Sequence, residues 1–99
     1  MRMIEAKDFQ IGQVVKVLKG RGRERHSVIL RMEDKFVWIA DGDIRKFDRP
    51  KKKNRMHLES QPFICAEVAE LLLQTGKVPN VKIRYGLQLW ENERTKEVL

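Results

Sequence analysis

Hydrophobic and polar residues alternate with a period of two along the first half of the chain, in short runs separated by charged or glycine-containing segments. In the first run, GQVVKVLK, Val15 and Val17 fall on the same face of an extended chain. Three similar runs follow, so the pattern predicts strands over residues 12–19, 27–32, 36–40 and 44–47. Four short strands so close together are typical of a small antiparallel barrel or sandwich.

The segments between the predicted strands have the composition of loops and turns. Residues 20–25, GRGRER, make a basic loop with two glycines, and Asp41-Gly42 is a strong hairpin signal before the fourth strand. The stretch RPKKKNR follows that strand. Because proline cannot donate to a strand ladder and like charges repel, this basic run is predicted to leave the sheet, with residues 56–58 as a candidate last strand.

The apolar spacing becomes helical in the stretch PFICAEVAELLLQTGK, where Ile64, Val68 and Leu71 recur on one face. Proline is suited to the first turn of a helix and glycine to its end. The pattern therefore predicts a helix that has Pro62 in its first turn and stops at Gly76.

The segment after this helix fits two secondary structures. Apolar residues alternate as in a strand at positions 81, 83, 85, 87 and 89. Equally, Ile83, Leu87 and Trp90 would share one face of a helix with Asn80 as its N-cap. Gly86 is unfavourable in both, so periodicity leaves both structures open.

Composition indicates one small folded domain. The 99 residues are 41% hydrophobic and include two tryptophans. Cys65 is the single cysteine, which excludes an intrachain disulfide and a multi-cysteine zinc site, and we expect it to be a small buried residue. No apolar run approaches the roughly 20 residues of a membrane helix, and the start lacks a signal-peptide pattern, so we expect a cytoplasmic protein with no membrane partner.

The positive charge is concentrated in one part of the chain. Residues 1–58 contain 16 Lys or Arg against 8 Asp or Glu, whereas residues 59–99 contain 5 against 6. The formal net charge of +7 is therefore +8 from the first part and −1 from the second. A basic part joined to a near-neutral part suggests that the first meets a polyanion.

The stretch GQVVKVLKGRGRERHSVIL resembles the KOW motif, two strands around a basic loop that contains glycine. The likeness continues through FVWIADGDIRKFDRPKKKNRMHL, so that residues 11–58 together resemble bacterial KOW-domain RNA-binding proteins related to the archaeal and eukaryotic large-subunit ribosomal protein of the fourteen-e class. One position departs from the pattern: many relatives have a second glycine in the loop where this chain has Glu24.

This resemblance implies a fold that is mainly β with C-terminal α structure, an SH3-like (KOW) small antiparallel barrel followed by one or two helices. The barrel would occupy residues 10–58, and residues 59–99 would be a helical extension packed on it. Relatives run the segment after Pro79-Asn80 as a second helix, which favours the helix over the strand there. The resemblance also implies RNA, usually ribosomal RNA, as the ligand.

Basic side chains are the candidate contacts because RNA carries a closely spaced series of phosphates. A guanidinium group can bind a phosphate through two hydrogen bonds, whereas an ammonium group acts as a point charge. If the basic loop of residues 20–25 and the lysine run lie on neighbouring edges of a barrel, they form one footprint. The predicted RNA-binding residues are Lys19, Arg21, Arg23, Arg25, His26, Arg45, Lys46, Arg49, Lys51, Lys52, Lys53, Arg55 and His57.

Other chemistry has little support in the sequence. Asp41 and Asp43 flank a turn glycine and are better explained by turn geometry than by acid–base catalysis. No phosphate-binding glycine loop, metal-ligand set or nucleophile with a base is present in the sequence, so we predict no enzyme activity, cofactor or small-molecule substrate. Trp38, Phe36 and Phe47 are interpreted as core or barrel-face packing rather than as platforms for bases.

The leading hypothesis is therefore a non-catalytic protein that binds structured RNA, in particular ribosomal RNA of the large subunit, with ribosomal proteins as further candidate partners. The alternative is a protein-interaction module that docks on a transcription or ribosome component. It is suggested by Tyr85, Leu87, Leu89 and Trp90 beside the acidic tail. The same apolar residues could instead cover the open side of the barrel.

Overall fold

The structure is a computed structural model that describes residues 9–98. It contains an antiparallel sheet followed by two helices. The strands are β1 (Gln13–Val17), β2 (His26–Met32), β3 (Phe36–Ala40), β4 (Lys51–Asn54) and β5 (Leu58–Ile64). A short 3-10 helix, Arg55–His57, joins the last two, and the helices are α1 (Ala66–Thr75) and α2 (Asn80–Val98).

The five strands form one sheet in the order β4-β3-β2-β1-β5. All four pairings are antiparallel. Within the described residues, β4 and β5 do not pair with each other, so the sheet is open and the closed barrel implied by the resemblance is not seen. β5 extends the sheet past residue 58, where the sequence divides into its two predicted parts.

The fourth strand is not where the alternation predicts it. Residues 44–47 form no strand, and the lysine run that was expected to leave the sheet is β4 itself. An edge strand tolerates this composition because its side chains reach solvent and proline can stand at its start. Pro50 immediately precedes β4, which pairs with β3 alone.

The first helix begins later than predicted. Pro62 lies inside β5, and α1 starts at Ala66. β5 is an edge strand, and its pairing with β1 is irregular between Gln13 and Val15. Pro62 lies opposite this irregularity, so its missing N–H does not interrupt a regular ladder of hydrogen bonds. The predicted end is confirmed, because Gly76 caps the helix in the left-handed conformation at φ 76°.

The segment after α1 is helical, which settles the alternative left open by periodicity. Ile83 and Trp90 are buried and Leu87 is partly buried on one face of α2. The Asn80 side chain was expected to cap this helix, but its Oδ1 accepts a hydrogen bond from Phe47 N at 2.7 Å. Neither described helix is long and apolar enough to cross a membrane.

The sheet carries an apolar cluster on each face. One consists of side chains from the strands alone: Val15, Val17, Ile29, Val37, Ile39 and Leu58. The other lies between the sheet and the two helices and includes Val14, Val28, Leu30, Ala40, Cys65, Val68, Ile83 and Trp90. The predicted burial of Cys65 is confirmed, and this burial raises the pKa of its thiol to about 11.

Candidate nucleic-acid interface

A depression of about 530 Å³ lies between the β1–β2 loop, the turn after β3, and β4. It opens on the sheet face that carries Val17 and Ile39. Among the described residues that line it, Asp41 is the only carboxylate and six are cationic: Arg21, Arg23, Arg25, Arg45, Lys51 and Lys53. We call this feature the basic cleft. It joins residues from segments that are well separated in the sequence.

The β1–β2 loop has a fixed backbone path. Gly20 and Gly22 have φ values of 84° and 85°, and Glu24 has φ 73°, the left-handed region that favours glycine. Glu24 therefore occupies, at some cost, a backbone conformation that glycine adopts more readily. Its N–H donates to Val17 O at 2.7 Å, and its carboxylate pairs with Lys16 at 3.2 Å.

The loop arginines are exposed. No side-chain hydrogen bond or ion pair within residues 9–98 engages Arg21, Arg23 or Arg25. All three line the basic cleft, and no acidic side chain among the described residues pairs with them. Such groups are free to meet an anion in pairs of hydrogen bonds.

The turn after β3 places Arg45 in the basic cleft. Oδ1 of Asp41 accepts hydrogen bonds from Asp43 N at 2.8 Å and from Arg45 N at 2.9 Å, so this carboxylate holds the turn. The turn also packs on α2: Gly42 has φ 80°, and a Cβ there would lie 2.5 Å from Asn80 O. The helical part of the chain thus helps to form the cleft.

The three lysines of β4 do not act as one block. Lys51 and Lys53 pair with Ile39 and Val37, so they lie on the face of the basic cleft, whereas Lys52 lies on the other face. Lys53 is only 8% exposed, and its Nζ donates to Lys19 O at 3.1 Å. It ties β4 to the β1–β2 loop, while Lys51 is exposed.

Lys52 joins two aromatic rings on the opposite face. Its Nζ lies 4.4 Å from the centre of the Phe36 ring and 5.6 Å from that of Trp38. The Arg31 guanidinium lies 4.6 Å from the centre of the Trp38 ring. We call Arg31, Phe36, Trp38 and Lys52 the outer aromatic patch. Trp38 and Phe36 are partly buried and lie on a face of the sheet, outside both buried clusters.

Sequence reasoning missed this patch although the alternation contained the signal for it. Val37 and Ile39 are the buried positions of β3, so Trp38 has to face the other way. That face is covered by the helices only in part. Phe47 does fit the packing interpretation, since it packs against the cluster beneath the helices.

The remaining predicted contacts lie outside the basic cleft. His26 contacts Trp90, with ring centres 4.3 Å apart and ring planes tilted by 42°. Burial, together with the charges of Arg94 and Lys16, lowers the pKa of His26. Arg55 donates to Glu33 O at 2.9 Å. Lys19, Lys46, Arg49 and His57 also do not line the cleft.

The composition of the described residues offers no metal centre. Within residues 9–98, no group of three or more His, Cys, Asp or Glu side chains is arranged to hold a metal ion. What the basic cleft presents is a set of cations with one carboxylate committed to a turn. This arrangement suits an extended anion that carries several charges.

Comparison with known proteins shows a similarity that covers part of this chain. No family model matches the sequence. A protein of Bacillus subtilis (strain 168) described as "Putative ribosome-binding protein YbzG" is 43% identical over 44 residues. These residues make up 44% of this chain and 60% of that protein, so the chain spans less than two thirds of its length.

Proposed function

We propose that this protein is a non-catalytic, cytoplasmic RNA-binding protein that contacts ribosomal RNA of the large subunit through the phosphates. The observation that carries the proposal is the convergence of six cationic side chains on the basic cleft. An RNA backbone laid in the cleft would release condensed counterions for each phosphate that these side chains neutralise.

The cations differ in how ready they are to bind. Arg21, Arg23, Arg25 and Lys51 are exposed and form no ion pair with the described residues, so no such pair has to break when they meet a phosphate. Lys53 is already bonded to Lys19 O and contributes mainly by holding the loop beside β4. Recognition by phosphate position and RNA shape follows from this arrangement, because the lining of the basic cleft contains no aromatic side chain among the described residues.

The partial relative and the sequence resemblance both favour the ribosome as the place where this RNA is found. The relative's printed description is ribosome binding, and it supports a ribosome-associated role for this chain. The resemblance to KOW-domain proteins and to the fourteen-e ribosomal class adds RNA as the component contacted. It also implies an SH3-like arrangement of the strands, which the order β4-β3-β2-β1-β5 permits without showing closure.

Co-sedimentation with purified large ribosomal subunits across a salt series tests the proposal. Binding by the wild-type protein should weaken with salt with a logarithmic slope of about −0.7 to −0.9 per phosphate contacted. Replacing Arg21, Arg23 and Arg25 with Ala should make this slope shallower by about 2 to 3 and lower the affinity at low salt by about 100-fold.

A matched control removes the same charge from the helical part. Replacing Lys77, Lys82 and Lys96 with Ala gives the same net charge, and these residues lie outside the basic cleft. Equal losses from the two triple variants would show that net charge, not the cleft, governs binding. A flat salt response of the wild-type protein would contradict phosphate recognition altogether.

A docking surface for a ribosomal protein is a second candidate function. Tyr85 and Leu89 on α2 are 53% and 41% exposed beside Phe63, around a depression of about 180 Å³. Trp90 does not belong to this surface, since it is buried. Replacing Tyr85 and Leu89 with Ser should lower binding to intact subunits and spare binding to protein-free ribosomal RNA if this surface contacts protein. Equal binding in both assays would exclude it.

A further inference from the structure

We propose that the outer aromatic patch is a second RNA contact, which stacks an unpaired base of a single-stranded segment that continues from the phosphates in the basic cleft. This inference rests on the proposed function. It adds a different recognition chemistry, since the cleft offers charge alone whereas the patch offers flat aromatic and guanidinium surfaces.

The patch is a row across three strands. Arg31 of β2 is the register partner of Trp38 in β3, and Trp38 is the register partner of Lys52 in β4. Phe36 lies two residues from Trp38 on the same face, beneath Lys52. A cation from each neighbouring strand therefore lies beside the Trp38 ring. The row is on the part of this face near the β4 edge of the sheet.

Packing does not account for this arrangement. The cluster beneath the helices takes Ala40 from β3, but neither Trp38 nor Phe36 belongs to it. Both rings stay partly exposed, and charged groups lie over them. Accessible aromatic side chains beside cations are typical of surfaces on which bases stack.

Among the described residues, Arg31 forms an ion pair with one carboxylate, that of Glu33. This pair limits the ability of Arg31 to contact RNA but does not remove it. Its Nη2 pairs with Glu33 at 2.7 Å, and its side chain remains 65% exposed. An ion pair of this kind uses the edge of the guanidinium and leaves its outer plane available. A base can then stack on the Arg31 plane or displace it from the Trp38 ring.

β4 provides the connection between the two sites. It is an edge strand, with Lys51 and Lys53 on the face of the basic cleft and Lys52 on the face of the outer aromatic patch. A flexible strand of RNA that crosses the free edge of β4 meets cations on both sides. A rigid duplex cannot bend around a single strand in this way, so the ligand class is single-stranded RNA next to structured RNA.

Tryptophan fluorescence gives a direct test. Trp38 is partly exposed, whereas Trp90 is 6% exposed and packed beneath the helices, so a stacking base should quench Trp38 selectively. The probes are a single-stranded oligoribonucleotide and a linear inorganic polyphosphate of equal charge, which has no bases. We expect the oligoribonucleotide to quench the fluorescence saturably and the polyphosphate to bind without quenching. Binding of the polyphosphate is measured by electrophoretic mobility or ultracentrifugation.

Variants separate stacking from a structural role. Trp38→Leu should lower oligoribonucleotide affinity by about ten-fold and leave polyphosphate affinity unchanged, while Trp38→Phe should restore most of the lost affinity. In Trp38→Phe the remaining emission comes from Trp90 and should not respond to the oligoribonucleotide. Circular dichroism of each variant shows whether it is folded. If Trp38→Leu is not folded, Trp38→Phe still tests the proposal.

The outcomes distinguish the two proposals. If the wild-type protein binds the oligoribonucleotide without quenching, or if Trp38→Leu weakens both probes equally, the stacking site is overturned and phosphate binding in the basic cleft stands. If neither probe and no large subunit binds the wild-type protein at low salt, the proposed function and this inference both fail.

Discussion

The two faces of β4 differ in what surrounds their cations, although the lysines are adjacent in the sequence. On the face of the basic cleft, Lys51 joins exposed arginines that have no ion-pair partner within residues 9–98. On the other face, Lys52 lies on the rings of Phe36 and Trp38. A run that looks uniform therefore supplies two chemical surfaces, because successive side chains of a strand point in opposite directions.

The largest expected effect separates the two tryptophans. Trp90→Ala should lower the free energy of unfolding by about 3 to 5 kcal/mol, because it empties a site beneath the helices. Trp38→Ala should cost less, about 2 kcal/mol, since it removes a ring that is only partly buried and its cation contacts. Urea unfolding measures both. Similar losses would show that the outer aromatic patch is a structural part of the sheet.

The lysines of β4 test the comparison residue by residue. Lys53→Ala should lower the free energy of unfolding by about 1.5 kcal/mol, since it removes a charged hydrogen bond to Lys19 O at a buried position. Lys51→Ala and Lys52→Ala should leave stability within about 0.5 kcal/mol, because both side chains are exposed.

Binding should rank the lysines differently. We expect Lys51→Ala to weaken polyphosphate binding and Lys52→Ala to weaken mainly the binding of single-stranded RNA, each measured at one fixed salt concentration. If Lys51→Ala and Lys52→Ala behaved alike with both probes, the separation of the two faces would have no functional meaning.

His26 predicts a smaller, pH-dependent effect. Its pKa is lowered by burial, so the unfolded chain binds its proton more readily than the folded protein does. Stability should therefore fall as the pH drops through about 6.5, the unfolded value, and level off below the folded pKa. His26→Gln should remove this component from urea unfolding measured at several pH values. A dependence that persists unchanged in the variant would assign it to another group.

Glu24→Gly should have the smallest effect. It relieves the left-handed conformation of a residue with a Cβ and removes the exposed ion pair with Lys16, so the stability change should lie within about 1 kcal/mol. It also removes a negative charge from the basic loop, which should raise RNA affinity by about two-fold at low salt. A loss of affinity would mean that Glu24 orders the loop for binding.

The sequence predicted much of this architecture. The alternation located β1, β2 and β3, and Gly76 marked the end of α1. It failed at residues 44–47 and at the lysine run, because local pattern carries no information about edge strands. There the local turn held by Asp41 and the contact of Phe47 with Asn80 decide the path. Phe47 and Asn80 are 33 residues apart in the chain, so the local pattern does not show their contact.

The candidate site shows the same division. The types of residue and the loop that carries them are visible in the sequence, as is the concentration of positive charge before residue 59. The sequence does not show that the loop, the turn and β4 converge, because their convergence depends on strand order and on the packing of Gly42 against α2. The outer aromatic patch likewise needs the register of three strands.

By itself, the sequence determined a sheet followed by at least one helix, the basic character of one part and the positions of its cationic side chains. Tertiary structure decided which cations share a surface, which of them are structural and which aromatic rings remain exposed. The physical reason is that charge and periodicity are properties of neighbouring residues, whereas a binding surface is made by side chains that come together only when distant strands pair and their faces are buried or left open.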